Sequence, residues 1–303
     1  MWRYDDARAA VRDALRLSRA MTFKSAVAGL PLGGGKGVIM LRDELTPEQR
    51  LDALRDFGET VEQLGGAYVT AEDVGTSAAD MEVIAETTSH VSGLAREHGG
   101  SGDPSPFTAL GVVTAIEISC EQVFGTTSMA GRTVAIAGLG HVGEHIARLL
   151  TGAGAKLLVA DIDERKRAVA DELGARWVTP DEALAAPVDV YAPCALGGIL
   201  DHESITRLQC PIVAGAANNQ LADDTVADEL ADRGVLWAPD FVANAGGIIN
   251  IAVELEPTGY DPDRAILRVR GIGDTLRTIY ADAQGTSPLA AAMRLAEQRL
   301  RGA

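Results

Sequence analysis

Six residues beginning at Gly138 limit the possible folds of this chain more than any other feature. Gly138-Leu139-Gly140-His141-Val142-Gly143 reads G-x-G-x-x-G. It follows a short apolar run, Arg132 to Ala137, and opens a segment of helical character that runs through Leu150. A strand that turns through such a motif into a helix needs glycine for a different reason at each place. The first makes the tight turn, the second lets a pyrophosphate approach the backbone, and the third lets helix and strand pack closely. The motif alone would be weak in a chain with 33 glycines. Its setting strengthens it, because a second strand, Lys156 to Asp161, ends in an acid placed to take ribose hydroxyls. The spacing therefore predicts a dinucleotide at a helix N-terminus, with Gly138, Gly140, His141, Val142, Gly143 and Asp161 as the binding residues. Asp161 repels a 2′-phosphate, so NAD is expected over NADP.

The flanking sequence extends this unit. Val188 to Tyr191, Pro211 to Ala214 and Val235 to Trp237 are further short apolar runs separated by helical or polar segments. Strand alternating with helix implies a parallel, doubly wound sheet. Leu110 to Phe124 reads as a long apolar helix, and Asp261 to Gln284 as another, with a last helix after Ser287-Pro288. Upstream, residues 5 to 21 carry apolar side chains at helical spacing, so the chain is expected to start directly in a helix. Thr46-Pro47-Glu48-Gln49 reads as a capping box with a proline at the first helical position, and Ser77 with Asp80 opens another helix. Ala67 to Thr70 reads as a strand.

At 303 residues two domains are the natural expectation. Lys and Arg total 27 against 43 Asp and Glu, a formal charge of −16. Such a polyanion repels phosphate backbones and anionic lipid, so neither nucleic acid nor a membrane is expected as a partner. No uninterrupted apolar run looks long enough for a membrane span, and the mixed charges of the first residues do not read as a signal peptide. Cys120, Cys194 and Cys210 are too scattered for a CxxC pair or a disulfide framework, which suits a reducing cytoplasm. No metal site is expected.

Two segments of the first half carry more chemistry than packing requires. Lys24 and Lys36 flank a triple-glycine turn, Gly33 to Gly35. Consecutive glycines cost backbone entropy and add no side-chain packing, so something must approach the backbone there. This marks Gly34 and Gly35 as candidates to face a substrate. Thr70-Ala71-Glu72-Asp73-Val74-Gly75-Thr76 places acids in a turn just after the expected strand.

Taken together, MTFKSA, GLPLGGGKG, TAEDVGT, GDPSPFTALGV, GLGHVG, YAPCALGGIL, GAANNQL and PDFVANAGGIIN closely resemble the leucine/phenylalanine/valine branch of the glutamate dehydrogenase superfamily. They run in family order over essentially the whole chain. The resemblance implies NAD-dependent, reversible oxidative deamination of an apolar L-amino acid (leucine, valine, isoleucine or phenylalanine) to its 2-oxo acid and ammonia, by a homo-oligomer. It implies that Lys24 binds the substrate carboxylate, that Lys36 activates water, and that Asp73 exchanges protons with the amino group. Thr108 and Asn219 would lie against the nicotinamide end of the cofactor, and Asn244 near substrate and nicotinamide. Val269 and Ile272, apolar and on the late helix, are candidates for the side-chain pocket. The chemistry agrees, since hydride loss needs a neutral amine and so a carboxylate to take its proton. The iminium left behind then needs a water delivered by a base, a role open to a lysine whose pKa is lowered by a dry site and a neighbouring cation such as Lys24.

The resemblance starts inside what is usually an interior MW-Y motif, so several dozen family residues have no counterpart before Met1. Either the start lies further upstream or the form is short. The expected architecture is an α/β protein with a substrate and catalytic domain, residues 1–109, on which a C-terminal helix from 284–303 packs. Residues 110–283 form the Rossmann-type NAD domain, with the active site in the cleft between the two. An NAD-dependent glutamate dehydrogenase is the rival among enzymes. A non-catalytic NAD-binding subunit is the rival outside them.

Overall fold

The computed structural model describes residues 1–302, which fall into two compact units. The first comprises Met1–Ala26, Leu30–Pro104 and Ile248–Ala265; the second comprises Val27–Gly29, Ser105–Gly247 and the chain from Ile266 onward.

In the first unit, β1 (Trp2–Arg3) precedes α1 (Ala7–Val27), β2 (Met40–Leu41), α2 (Pro47–Gln63) and α3 (Ala78–Ala85). The chain thus begins with a strand where a helix was expected. β1 pairs in parallel with β2, Trp2 opposite Met40, and the Trp2 amide donates to Ile39 O at 3.0 Å. α1 runs beyond the expected end at residue 21, so Lys24 is carried on its last turn. The capping box expected at Thr46 forms, and the helix start expected at Ser77 proves to be a second one. Thr46 accepts from the Gln49 amide and Ser77 from the Asp80 amide, and the side chains of Gln49 and Asp80 return the bond. These caps satisfy amide donors that open helix ends would otherwise leave unpaired. α2 and α3 then bury Leu54, Met81 and Ile84 with Val91 as a small core. Residues 67–70 form no ladder. Thr70 makes only an isolated parallel bridge to Val91, its amide donating to His90 O at 3.0 Å and its carbonyl accepting from the Ser92 amide at 2.8 Å.

The second unit opens with α4 (Ser105–Phe124), five residues before the expected domain boundary at 109/110. There follow β3 (Thr133–Ala137), α5 (His141–Gly152), β4 (Lys156–Ala160), α6 (Arg167–Glu172), β5 (Arg176–Trp177), α7 (Pro180–Leu184) and β6 (Val190–Pro193). The chain continues through α8 (Ser204–Arg207), β7 (Ile212–Val213), α9 (Thr225–Asp232), β8 (Leu236–Trp237), α10 (Asp240–Ala243) and α11 (Gly246–Glu254), of which the residues from Ile248 group with the first unit. The six strands form one parallel sheet in the order β5-β4-β3-β6-β7-β8. Strand order reverses between β3 and β6, and the carboxyl ends beside such a reversal are where an open α/β sheet binds ligands. α4 is long and apolar enough to cross a membrane by length and composition, but most of it is buried. It packs on α5 and on the later helix Ile272–Asp282, so its apolar surface serves the core.

The expected single helix 261–284 is broken into α12 (Pro262–Arg270) and α13 (Ile272–Asp282), with Gly271 at the junction. Glycine weakens a helix interior and marks the place where this one yields. The last helix, α14 (Pro288–Arg301), groups with the second unit rather than the first. Arg299 donates to the carbonyl of Val27, and this contact carries the end of α1 into the second unit.

Candidate functional site

The glycine turn after β3 is shaped as its sequence requires. Gly138 has φ 111°, a conformation that side chains rarely adopt, and a Cβ there would press on the Cys194–Ala195 peptide after β6 at 2.8–2.9 Å. A Cβ on Gly143 would run into the carbonyl of Gly138, which is the close helix–strand contact of the third glycine. At Gly140 a Cβ would meet nothing within 4 Å, and this residue caps α5 with no side-chain bond. Space is therefore open at Gly140, where α5 begins with His141 and Val142, and the unpaired amides of such a helix start suit an anionic group. Asp161 follows β4, and its Oδ2 accepts from the Leu139 amide at 2.6 Å while Oδ1 accepts from the Asp163 amide at 2.8 Å. Beyond it, Ile162 is 93% exposed, and Leu196 on the loop after β6 is 77% exposed. These residues fit a dinucleotide: an uncapped helix start for phosphates, a fixed carboxylate for ribose, and bare apolar side chains beside them.

Asn219 and Asn244 lie on the far side of the strand reversal. Asn219 is the single non-glycine residue of positive φ, 50°, among the described residues. Asn244 Nδ2 donates to Ala216 O at 3.1 Å and to Asn218 Oδ1 at 2.8 Å, while its buried Oδ1 has no hydrogen-bond partner. That acceptor suits a carboxamide or amine donor. Thr108 lies in the first turn of α4, and Gly246 brings the segment after Asn244 against it. A Cβ on Gly246 would meet the Phe107 carbonyl and stand 3.0 Å from Thr108 Cα.

Sequence reasoning did not find what holds this wall. Gln220 is fully buried; its Nε2 donates to Gly215 O (2.9 Å) and Ala217 O (3.1 Å), and its Oε1 accepts from Trp237 Nε1 (3.0 Å). Its amide donates to Asp240 Oδ2 at 2.8 Å. The signal was a glutamine directly after the Asn-Asn pair, with a tryptophan ending the next strand. Cys194, against the glycine turn, is kept neutral because burial pushes its thiol up to about 12.

In the first unit Lys36 Nζ forms an ion pair with Asp73 Oδ2; the lysine side chain is 20% exposed and the aspartate 51%. Asp73 is held by its own turn. Its Oδ1 accepts from the Val74 amide at 2.7 Å, and Thr76 Oγ1 accepts from the Asp73 amide at 3.1 Å and donates to the Asp73 carbonyl at 2.7 Å. Burial lowers the Lys36 pKa from its ordinary value, against an opposing pull from the Asp13 carboxylate. The pair thus offers a proton acceptor open to a ligand and a lysine closer to neutrality than usual. Lys24 is half-buried on the last turn of α1.

The glycine turn before Lys36 is packed tightly by the protein itself. A Cβ on Gly34 would collide with Ser18 O and Thr22 Oγ1 of α1, and one on Gly35 would meet the Tyr68 ring. Ser18 Oγ also donates to Gly34 O. The close approach inferred for these glycines is thus made by α1 and Tyr68. Val269 is fully buried and Ile272 is 3% exposed, with Ile272 Cδ1 facing Gly111 of α4. Their apolar surface is spent on packing in the second unit, whereas Lys24, Gly34, Gly35, Lys36 and Asp73 belong to the first.

Comparison with known proteins places these features in context. Residues 2–90 match the family model described as Glu/Leu/Phe/Val dehydrogenase, dimerisation domain, and residues 158–258 match Glutamate/Leucine/Phenylalanine/Valine dehydrogenase. Residues 114–194 match the NAD binding domain of D-isomer specific 2-hydroxyacid dehydrogenases. The chain is 43% identical to leucine dehydrogenase of Bacillus subtilis over 99% of its own length and 82% of that enzyme. It is 46% identical to valine dehydrogenase of Streptomyces virginiae over 96% of itself and 82% of that enzyme. The crystal structure of L-tryptophan dehydrogenase from Nostoc punctiforme superposes with a TM-score of 0.85 at 40% identity, covering 99% of this chain and 86% of that one.

Proposed function

Because the chain belongs to the Glu/Leu/Phe/Val dehydrogenase family, in its leucine/valine branch, we propose a division of labour among its residues for the reaction that membership carries. That reaction is the NAD-dependent oxidative deamination of an apolar L-amino acid. The amino acid and water give the 2-oxo acid, an ammonium ion and one proton released to solvent, and two electrons leave with a second proton as hydride. NAD supplies the acceptor for that hydride. Gly138, Gly140, His141, Val142 and Gly143 would receive its phosphates, Asp161 its ribose, and Thr108, Asn219 and Asn244 its nicotinamide end.

Lys24 neutralises the substrate α-carboxylate. Asp73 takes a proton from the ammonium group, so that the nitrogen lone pair can assist hydride loss from the α-carbon. The proton also cancels the negative charge paired with Lys36, which removes the ion-pair support of the ammonium and favours its neutral form. Neutral Lys36 then accepts a proton from water as that water adds to the iminium carbon. Returned to its charged state, it stabilises the oxygen of the carbinolamine. Asp73 protonates the departing nitrogen, the carbon–nitrogen bond breaks, and the hydroxyl proton passes to the released ammonia, leaving the 2-oxo acid and an ammonium ion. The observation that carries this reading is the Lys36–Asp73 pair, a partly buried cation against an accessible carboxylate.

Leucine, valine, isoleucine and phenylalanine are the substrates we assign. Identity of 43–46% to leucine and valine dehydrogenases favours them over glutamate. The same membership favours a working enzyme over a non-catalytic subunit. We also infer a homo-oligomer, supported by the dimerisation-domain description of residues 2–90, and a cytoplasmic location, with which three free cysteines agree. Incubation with leucine and NAD should release NADH, ammonia and 2-oxo acid in equal amounts. NADH without ammonia would refute the reading.

A further inference from the structure

We propose that Tyr68 is a positioning residue for Lys36, gripping the backbone on both sides of it. The inference rests on the role assigned to Lys36 above. The phenol oxygen accepts from the Gly37 amide at 2.9 Å, on the peptide directly after Lys36. The ring lies against Gly35, directly before Lys36, so closely that no side chain could stand there. Phe57 closes the other side of the turn, 2.7 Å from where a Cβ of Gly37 would be. Tyr68 thus fixes the residues either side of Lys36, while Asp73, further along the same segment, holds its ammonium. Thr70 between them is pinned by its bonds to His90 and Ser92, so the tyrosine and the aspartate reach the lysine from one anchored strand of chain.

This arrangement answers a specific need. A turn of three glycines has many accessible backbone conformations, and a lysine carried on it would swing into water and titrate at its ordinary value. Burial is what lowers the Lys36 pKa, and burial requires the turn to be held. The ring supplies the wall and the phenol oxygen supplies the latch. The glycines are then needed so that Tyr68 and α1 can come within contact of the turn.

Tyr68→Phe keeps the ring and removes the latch. It should lower kcat about tenfold, a loss on the scale of one hydrogen bond, with the KM for leucine and the Kd for NAD within about twofold of wild type. The rising limb of kcat against pH should move to higher pH as Lys36 becomes better solvated. The Gly37 amide should exchange with deuterium faster. Gly37→Ala tests the same contact from the other side, because its methyl group would stand 3.1 Å from the phenol oxygen and 2.7 Å from the Phe57 ring. It should shift the pH limb in the same direction. Lys36→Ala separates the two claims: if it retains wild-type turnover, the catalytic reading falls. If Lys36→Ala is inactive while Tyr68→Phe keeps both the wild-type kcat and the wild-type pH limb, the positioning role of Tyr68 falls and the catalytic reading stands. A Tyr68→Phe loss of kcat with an unmoved pH limb would also overturn it.

Discussion

The Leu139 amide donates to Asp161 Oδ2 at 2.6 Å, joining the glycine turn after β3 to the acid that directly follows β4. A second bond from the Asp163 amide holds the other oxygen, so the carboxylate has a fixed orientation and keeps lone pairs for a ribose. A 2′-phosphate would bring negative charge against a carboxylate that cannot turn away. NAD should therefore exceed NADP in kcat/KM by about a hundredfold or more, a like-charge penalty of a few kcal/mol. Asp161→Ser should narrow that gap. Steady-state rates with both cofactors test this, and a wild-type preference for NADP would contradict it.

Exchange of single side chains in the lysine–aspartate pair should separate binding from chemistry. Asp73→Asn keeps size and polarity but removes the proton acceptor, so kcat should fall by roughly 10²–10⁴. Lys36→Ala should collapse kcat as well. Lys24→Ala deletes a cation that meets the substrate carboxylate in ground and transition states alike, and should chiefly raise KM. NAD binding, followed by fluorescence titration, should change little in all three. Near-normal kcat in Asp73→Asn would refute the mechanism.

The pH profile should respond to a residue outside the pair. Lys36 acts as a base only when neutral, so the rate of deamination should rise with pH through its lowered pKa. Asp13 raises that pKa by its charge, and is itself held by Tyr4 (2.6 Å) and Arg16 (3.0 Å). Removing the charge in Asp13→Asn favours neutral lysine, so the rising limb of kcat should move to lower pH. A shift to higher pH would contradict the sign of the interaction.

Acid stability should depend on Asp80. Burial opposes its charge, but bonds from Arg50 (2.7 Å) and Ser77 (2.8 Å) win, and its pKa lies below the ordinary 3.8. A depressed carboxylate pKa adds stability that is complete above the unfolded value and lost as pH falls through the folded one. Asp80→Asn should therefore lower the melting temperature at neutral pH. The difference from wild type should shrink as pH falls from 3.8 through the lower folded value, below which both proteins carry a neutral side chain there. A gap constant with pH would show that the ion pair is not its source.

Much of this architecture was legible in the chain because the residues concerned have few alternatives. Gly138 and Gly143 admit no side chain, and Thr46 and Ser77 cap helices by local chemistry that needs no distant partner. The βαβ rhythm from Arg132 onward predicted the parallel sheet for the same reason. What escaped depended on long-range packing. The close approach to Gly34 and Gly35 was legible, but its agents, α1 and Tyr68, lie elsewhere in the sequence. Val269 and Ile272 have the apolar character of a pocket, and nothing local distinguishes that from the burial of Val269 and the packing of Ile272 against Gly111 of α4. Gln220 lies within GAANNQL, but its role appears only when β7 and β8 bring Gly215 and Trp237 around it.

The most direct test of the account is kcat/KM across a panel of L-amino acids with NAD, read as NADH absorbance. Leucine, valine, isoleucine or phenylalanine should lead, with glutamate and alanine well behind. If glutamate leads the panel, the assignment to apolar amino acids is wrong.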